Sequence, residues 1–189
     1  MDAIKKPLIM ARQFISNHVS NGDHVVDATA GNGWDTLLLA QLVGNGGKVF
    51  AFDIQKEALT STRELLEVKG LLHRVQLIID GHEHMNSYLD GSISAAMFNL
   101  GYLPGGVHSI ITRPETTIKA LKAVLQKLRE GGLVTIVIYR GHDGGRAEES
   151  ALLAYASRLK QQKFTVLHYD IINQGNMPPC LMVIEKLTE

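Results

Sequence analysis

Apolar residues recur along this chain with two alternating periods. Ile4, Leu8, Ala11, Ile15 and Val19 fall at steps of three and four, which predicts one apolar helical face, with Pro7 tolerable only in the first turn. After Asn21-Gly22-Asp23 the pattern changes to short apolar runs separated by helical stretches. Residues 24–28, 48–52, 74–79, 93–98 and 133–139 read as strands, the last so apolar that it is central. Helical periodicity covers 34–42 and 55–69, with Ala58, Leu65 and Leu66 inward in the second. Thr112 to Glu115 reads as a capping box, and Ile118, Leu121, Leu125 and Leu128 carry that helix to a Gly131-Gly132 stop. A helix over 146–161, with Leu152, Tyr155 and Leu159 inward, precedes two final runs at 164–169 and 181–186. Residues 173–179 between those runs are too few for a helical crossover, so the two pair antiparallel. The alternation predicts an α/β fold in a single domain over residues 1–189, with an N-terminal helix within 1–21. Its sheet is seven-stranded and mostly parallel, ends in an antiparallel hairpin and carries helices on both faces.

The chemistry concentrates where strands end. The stretch 25–36, VVDATAGNGWDT, runs from a strand through Gly31-Asn32-Gly33 into a helix, the arrangement of a nucleotide cradle. No Lys-Ser or Lys-Thr follows the last glycine, which excludes a P-loop. Thr36 stands where a dinucleotide fingerprint has its third glycine, and Asp27 and Asp35 would repel a pyrophosphate. The same two carboxylates suit a ligand carrying ammonium and sulfonium charge, such as S-adenosylmethionine. Asp53, twenty residues past Gly33, stands where an acidic residue reaches ribose hydroxyls, and could also cap the next helix. Asp80, before Gly81 and His82, ends a third strand, so three carboxylates are expected in register along one sheet edge. Asn99 ends a fourth strand and enters Leu100-Gly101-Tyr102-Leu103-Pro104-Gly105-Gly106, a rim suited to an acceptor substrate. A second glycine-rich loop, Tyr139-Arg140-Gly141-His142-Asp143-Gly144-Gly145, adds a cation and an imidazole.

Composition narrows the partners. Nineteen basic residues balance nineteen acidic ones, so any RNA contact is a local patch. A single cysteine, Cys180, excludes an internal disulfide and fits a reducing cytoplasm. No apolar run approaches a membrane span, and residues 1–19 are amphipathic rather than a signal peptide. A cytoplasmic protein without a membrane partner is expected.

The blocks DATAGNGWDT (27–36), FDIQ (52–55), NLGYLPGG (99–106), YRGHDGG (139–145) and NQGNMPP (173–179) closely resemble the MnmM family, and the resemblance covers essentially the whole chain. Members have the Rossmann-like methyltransferase fold, use S-adenosylmethionine and methylate the aminomethyl group of 5-aminomethyl-2-thiouridine at the tRNA wobble position. Carried over by position, the resemblance implies cofactor contacts from Asp27, Thr29, Gly31, Asn32, Gly33, Asp35 and Thr36 around the methionine moiety. It implies ribose on Asp53, and adenine between Ile54, Gln55 and the Asp80-Gly81-His82 turn. Asn99 to Tyr102 would hold the acceptor nitrogen, with the carbonyls around Asn99 and Leu100, beside Gly101, accepting its N–H bonds.

Transfer to an amine also needs a proton acceptor, for which His142 is the candidate. Tyr102 or Tyr139 could stack on the uracil, and Arg113, Arg140 and Arg146 could meet phosphates of a tRNA anticodon stem-loop. A homodimer would enlarge the RNA surface. His82, His84, His108 and His142 all fall on rim loops, but direct displacement needs no metal and none is expected. An rRNA methyltransferase, a small-molecule amine methyltransferase and a non-catalytic cofactor-binding subunit remain as alternatives.

Overall fold

The computed structural model describes residues 4–103, 105 and 110–188. Pro104, Gly106 and His108 of the expected rim lie outside the described residues. Pro7 opens α1 (Pro7–His18) at its first position, where a missing N–H costs nothing. Ile4 therefore precedes the helix and is 72% exposed, outside the apolar face assigned to it. The chain continues through β1 (His24–Asp27), α2 (Trp34–Leu42), β2 (Lys48–Asp53), α3 (Lys56–Val68) and β3 (Val75–Ile79). A 3-10 segment at His82–Ser87 leads to β4 (Ile93–Leu100), α4 (Pro114–Lys127) and β5 (Leu128–Ile138). Last come α5 (Gly145–Ala156), β6 (Phe164–Tyr169) and β7 (Cys180–Lys186).

The seven strands of the described residues form one sheet in the order β3-β2-β1-β4-β5-β7-β6. The first five are parallel, and β7 runs antiparallel to both β5 and β6. Helices α1, α2 and α3 pack on one face; α4, α5 and the 3-10 segment pack on the other. Because β2 and β4 leave β1 in opposite directions, the carboxyl ends of β1 and β4 open a crevice at a topological switch point. Among the described residues no helix is long and apolar enough to cross a membrane.

Two local expectations are corrected by long-range pairing. Leu128 does not close α4 on its inner face; it pairs with Ile93, and the register then shifts to Ala95 with Leu133. Gly131, at φ +69°, thus serves a bulge at the start of β5 rather than a helix stop. The capping box does not form either. Arg113 is the N-cap of α4 without a side-chain cap, and the Thr112 hydroxyl donates to Glu148 Oε2 at 2.7 Å.

Candidate active site

Register decides what the acidic strand ends do. Asp27 pairs level with Ala51 of β2 and Met97 of β4, so Asp53 and Asn99 each stand two residues further out on either side of β1. The expected in-register row is therefore staggered. Asp27 is recessed and buried, accepting the Thr29 N–H at 3.1 Å and the Thr36 hydroxyl at 2.6 Å. Burial, and then the neighbouring Asp35 charge, push its pKa up to about 7. Beyond it, a cavity of about 690 Å³ is walled by the loop after β1, the ends of β2, β3 and β4, and the loop after β5. Asp27, Gly33 and Thr36 are not among the residues that wall that cavity; they lie behind the cradle loop.

Gly33 shows what acting from behind means. It adopts φ +84°, donates to the Ala30 carbonyl at 2.8 Å, and an added Cβ would lie 2.9 Å from the Thr62 Cα. Helix α3 thus packs directly onto the turn, and the Thr62 hydroxyl donates to the Gly31 carbonyl at 3.0 Å. Gly33→Ala is expected to destabilise the fold by about 3 kcal/mol, from left-handed strain plus a backbone clash. Urea unfolding checks this; a loss below about 0.5 kcal/mol would mean that the turn is not held by this contact.

The cofactor half of the cavity is polar below and apolar beside. Asp53 accepts the Gly31 N–H at 2.9 Å on Oδ2 and the Gln55 N–H at 2.9 Å on Oδ1, and it lines the cavity. Burial raises its pKa, although these backbone donors hold it back. Ile54, beside it on the cavity wall, is 60% exposed and offers an apolar face to a planar base. Asp80 accepts the Gly81 N–H and His84 Nδ1 on Oδ1 and the Tyr88 OH on Oδ2, and the bond to His84 leads in lowering its pKa. The His82 ring turns inward, edge-on to Phe98, with Nδ1 donating to the Ala28 carbonyl at 3.1 Å. Burial lowers its pKa, so it is a neutral imidazole.

The acceptor half is organised around Asn99. Its N–H donates to Thr29 Oγ1 at 2.8 Å, and Nδ2 faces Asp35 Oδ2 at 3.5 Å. Asp35 Oδ1 in turn accepts Arg12 Nε at 2.7 Å. Gly101, at φ +139°, exchanges backbone and side-chain bonds with Thr112, and Tyr102 bridges to Ile111, turning this loop over the cavity. The Tyr102 and His142 rings meet edge-on, centroids 6.0 Å apart. His142 Nδ1 donates to the Asp143 carbonyl at 2.9 Å, which leaves Nε2 as the lone-pair atom above Gly101. Asn99 Oδ1 and His142 Nε2 are both buried without a partner among the described residues. Such orphaned acceptors in a cavity wall fit a ligand that brings donors.

The expected phosphate arginines separate. Arg140 is spent inside the fold: it grips Asp170 bidentately at 2.7 and 2.8 Å, reaches Glu149, and donates to the Pro178 carbonyl. That ion pair ties the loop after β5 to the β6–β7 hairpin and removes Arg140 from the RNA-facing set. Arg146 opens on a neighbouring hollow of about 400 Å³ that shares Met177 with the cavity. Arg113 is exposed on the cavity rim, and neither it nor Arg146 forms an ion pair among the described residues. Leu8, on the apolar face of α1, reaches the cavity wall, and Arg12 and Trp34 join it there without having been singled out by periodicity. Leu8 and Arg12 are one helical turn apart on α1, a spacing that signals a shared face but not what that face meets. Among the described residues, the group whose ligand atoms converge is Glu149, His168 and Cys180, not the rim histidines.

The donor set and the glycine turn fit a nucleoside cofactor bearing positive charge, and the relatives of the chain agree. Residues 49–185 match the family model described as "Putative rRNA methylase". A chloroplastic tRNA (mnm5s2U34)-methyltransferase of Arabidopsis thaliana is 38% identical over 96% of this chain and 70% of its own length. A "putative rRNA-methylase" of Clostridium thermocellum superposes with a TM-score of 0.96 at 49% identity, covering 98% of this chain and 100% of that one. A "putative methyltransferase" of Streptococcus mutans, solved in complex with SAH, gives a TM-score of 0.90 at 44% identity over 97% of this chain and 99% of that one.

Proposed function

Because the chain belongs to this rRNA-methylase family of S-adenosylmethionine-dependent methyltransferases, we propose that it N-methylates 5-aminomethyl-2-thiouridine at the tRNA wobble position. The observation that carries the reading is the buried, unpartnered Asn99 Oδ1 in the cavity wall, an acceptor waiting for an N–H. An amino group that gives one hydrogen to Asn99 Oδ1 keeps its lone pair free to attack. When bound, S-adenosylmethionine supplies an electrophilic methyl on a sulfonium and leaves as a neutral thioether. The residues expected to hold it are Asp53, the Thr29–Asn32 loop, Asp35 and Ile54, with Gln55 and Gly81 alongside.

The chain's own work is alignment and proton transfer. An alkyl ammonium entering the cavity must lose a proton before its nitrogen can attack, and His142 Nε2, with its tautomer set by the Asp143 carbonyl, accepts it. Tyr102 packs against that imidazole and, with Tyr139, offers ring faces to the uracil. Arg113 and Arg146 supply the positive charge that a phosphate backbone needs from an otherwise neutral protein. A cytoplasmic location belongs to the same proposal, and the chloroplastic Arabidopsis relative shows that an organelle suits the family too.

Nucleoside mass spectrometry of tRNA bearing the aminomethyl wobble uridine, after incubation with protein and S-adenosylmethionine, tests this. One added methyl group on that nucleoside is expected. No gain, with cofactor binding verified in the same sample, would overturn the tRNA reading and direct attention to rRNA or small amines.

A further inference from the structure

Asn and Gln amides have two orientations of nearly equal shape, so an Asn that must present oxygen needs a neighbour that forbids the flip. We propose that Arg12 is a positioning residue for methyl transfer: through Asp35 it holds the Asn99 amide with Oδ1, not Nδ2, turned to the acceptor. This inference rests on the reading that Asn99 receives the acceptor nitrogen.

The chain of contacts is short. Arg12 Nε donates to Asp35 Oδ1 at 2.7 Å, and Asp35 Oδ2 lies 3.5 Å from Asn99 Nδ2. An ionised carboxylate only accepts, so a flipped amide would set two oxygens against each other in a buried corner. The Asn99 backbone is meanwhile pinned by Thr29 Oγ1, so the side-chain torsion is what remains to be decided. Three charged or titratable groups face Asp35: Arg12 from α1, Asp27 from the end of β1, and Tyr139 after β5. Arg12 is the cation among them. Without it, the contact that fixes the Asp35 carboxylate from α1 is gone, so Oδ2 is no longer held opposite Asn99 Nδ2. The amide is then free to turn, and in the turned state its NH2 meets an amine that needs an acceptor.

The test compares Arg12→Ala and Arg12→Lys with wild type on wobble-uridine tRNA. For R12A a fall in kcat of about 10-fold is expected, with KM for tRNA and Kd for S-adenosylhomocysteine within about threefold of wild type. R12K, which keeps a cation within reach of Asp35, should recover most of the loss. In asparagine-15N-labelled protein without substrate, the side-chain amide signal assigned by N99A should shift in R12A and stay put in R12K. An unchanged kcat, an unmoved amide signal, or a loss shared equally by cofactor affinity would overturn the proposal. Full turnover in N99A would remove both this inference and the reading beneath it; an inactive N99A beside a fully active R12A would remove this inference alone.

Discussion

Asn99→Ala is expected to lower single-turnover methyl transfer by roughly two to three orders of magnitude while leaving S-adenosylhomocysteine affinity within about threefold. The asymmetry follows from where the atoms sit. The Asn99 N–H bond to Thr29 Oγ1 survives the substitution, so the strand end and the cradle loop stay joined. What disappears is Oδ1, the buried acceptor to which the substrate nitrogen is assigned, together with the Nδ2 contact to Asp35. A preorganised acceptor acts during alignment of the attacking nitrogen, so its loss should appear in kcat rather than in cofactor binding. Rapid-quench kinetics with calorimetric cofactor titration measures both quantities. Turnover within about threefold of wild type would take Asn99 out of the reaction.

Asp53→Ala should give the opposite division. Asp53 accepts backbone N–H groups from Gly31 and Gln55 and lines the cavity. Two ribose hydroxyls donating to a carboxylate are worth about 1.5–3 kcal/mol each, so Kd for S-adenosylhomocysteine should rise by about 100-fold or more. Removing the carboxylate also strips Gly31 of its acceptor, which loosens the loop and adds to the loss. At saturating cofactor, kcat should fall far less than in the Asn99 variant. Calorimetry checks it, and a Kd within about threefold of wild type would assign Asp53 to the loop alone. Asp27→Asn is not an equivalent experiment, because Asp27 meets Thr29 and Thr36 behind the loop rather than the cavity.

Elements whose causes are local were legible with little error. The helix at Trp34–Leu42 and the strand at Phe164–Tyr169 appear with the bounds that their periodicity predicts. Glycine placement read well in the cradle, where φ at Gly31 and Gly33 is +53° and +84°. It misread at Gly131, since a bulge and a helix stop call for the same residue and only the pairing of Leu128 with Ile93 separates them. Thr112 carries a valid capping pattern that loses to a carboxylate 36 residues away. Arg140 resembles a phosphate ligand until Asp170, on the far side of the sheet order, takes both of its amino groups.

The order of strands and helices, the nucleotide turn, the preference for a cationic cofactor and the residue types of the acceptor rim were all determined by the sequence itself, because each depends on neighbours a few positions apart. Tertiary structure decided which of these groups face the cavity. A two-residue stagger between β1 and its neighbours sends Asp53 and Asn99 outward and leaves Asp27 buried. The packing of α1 brings Arg12 to Asp35, 23 residues away. Register and helix docking are set by burying apolar faces over the whole sheet, a sum over many distant contacts that no short window of the chain contains.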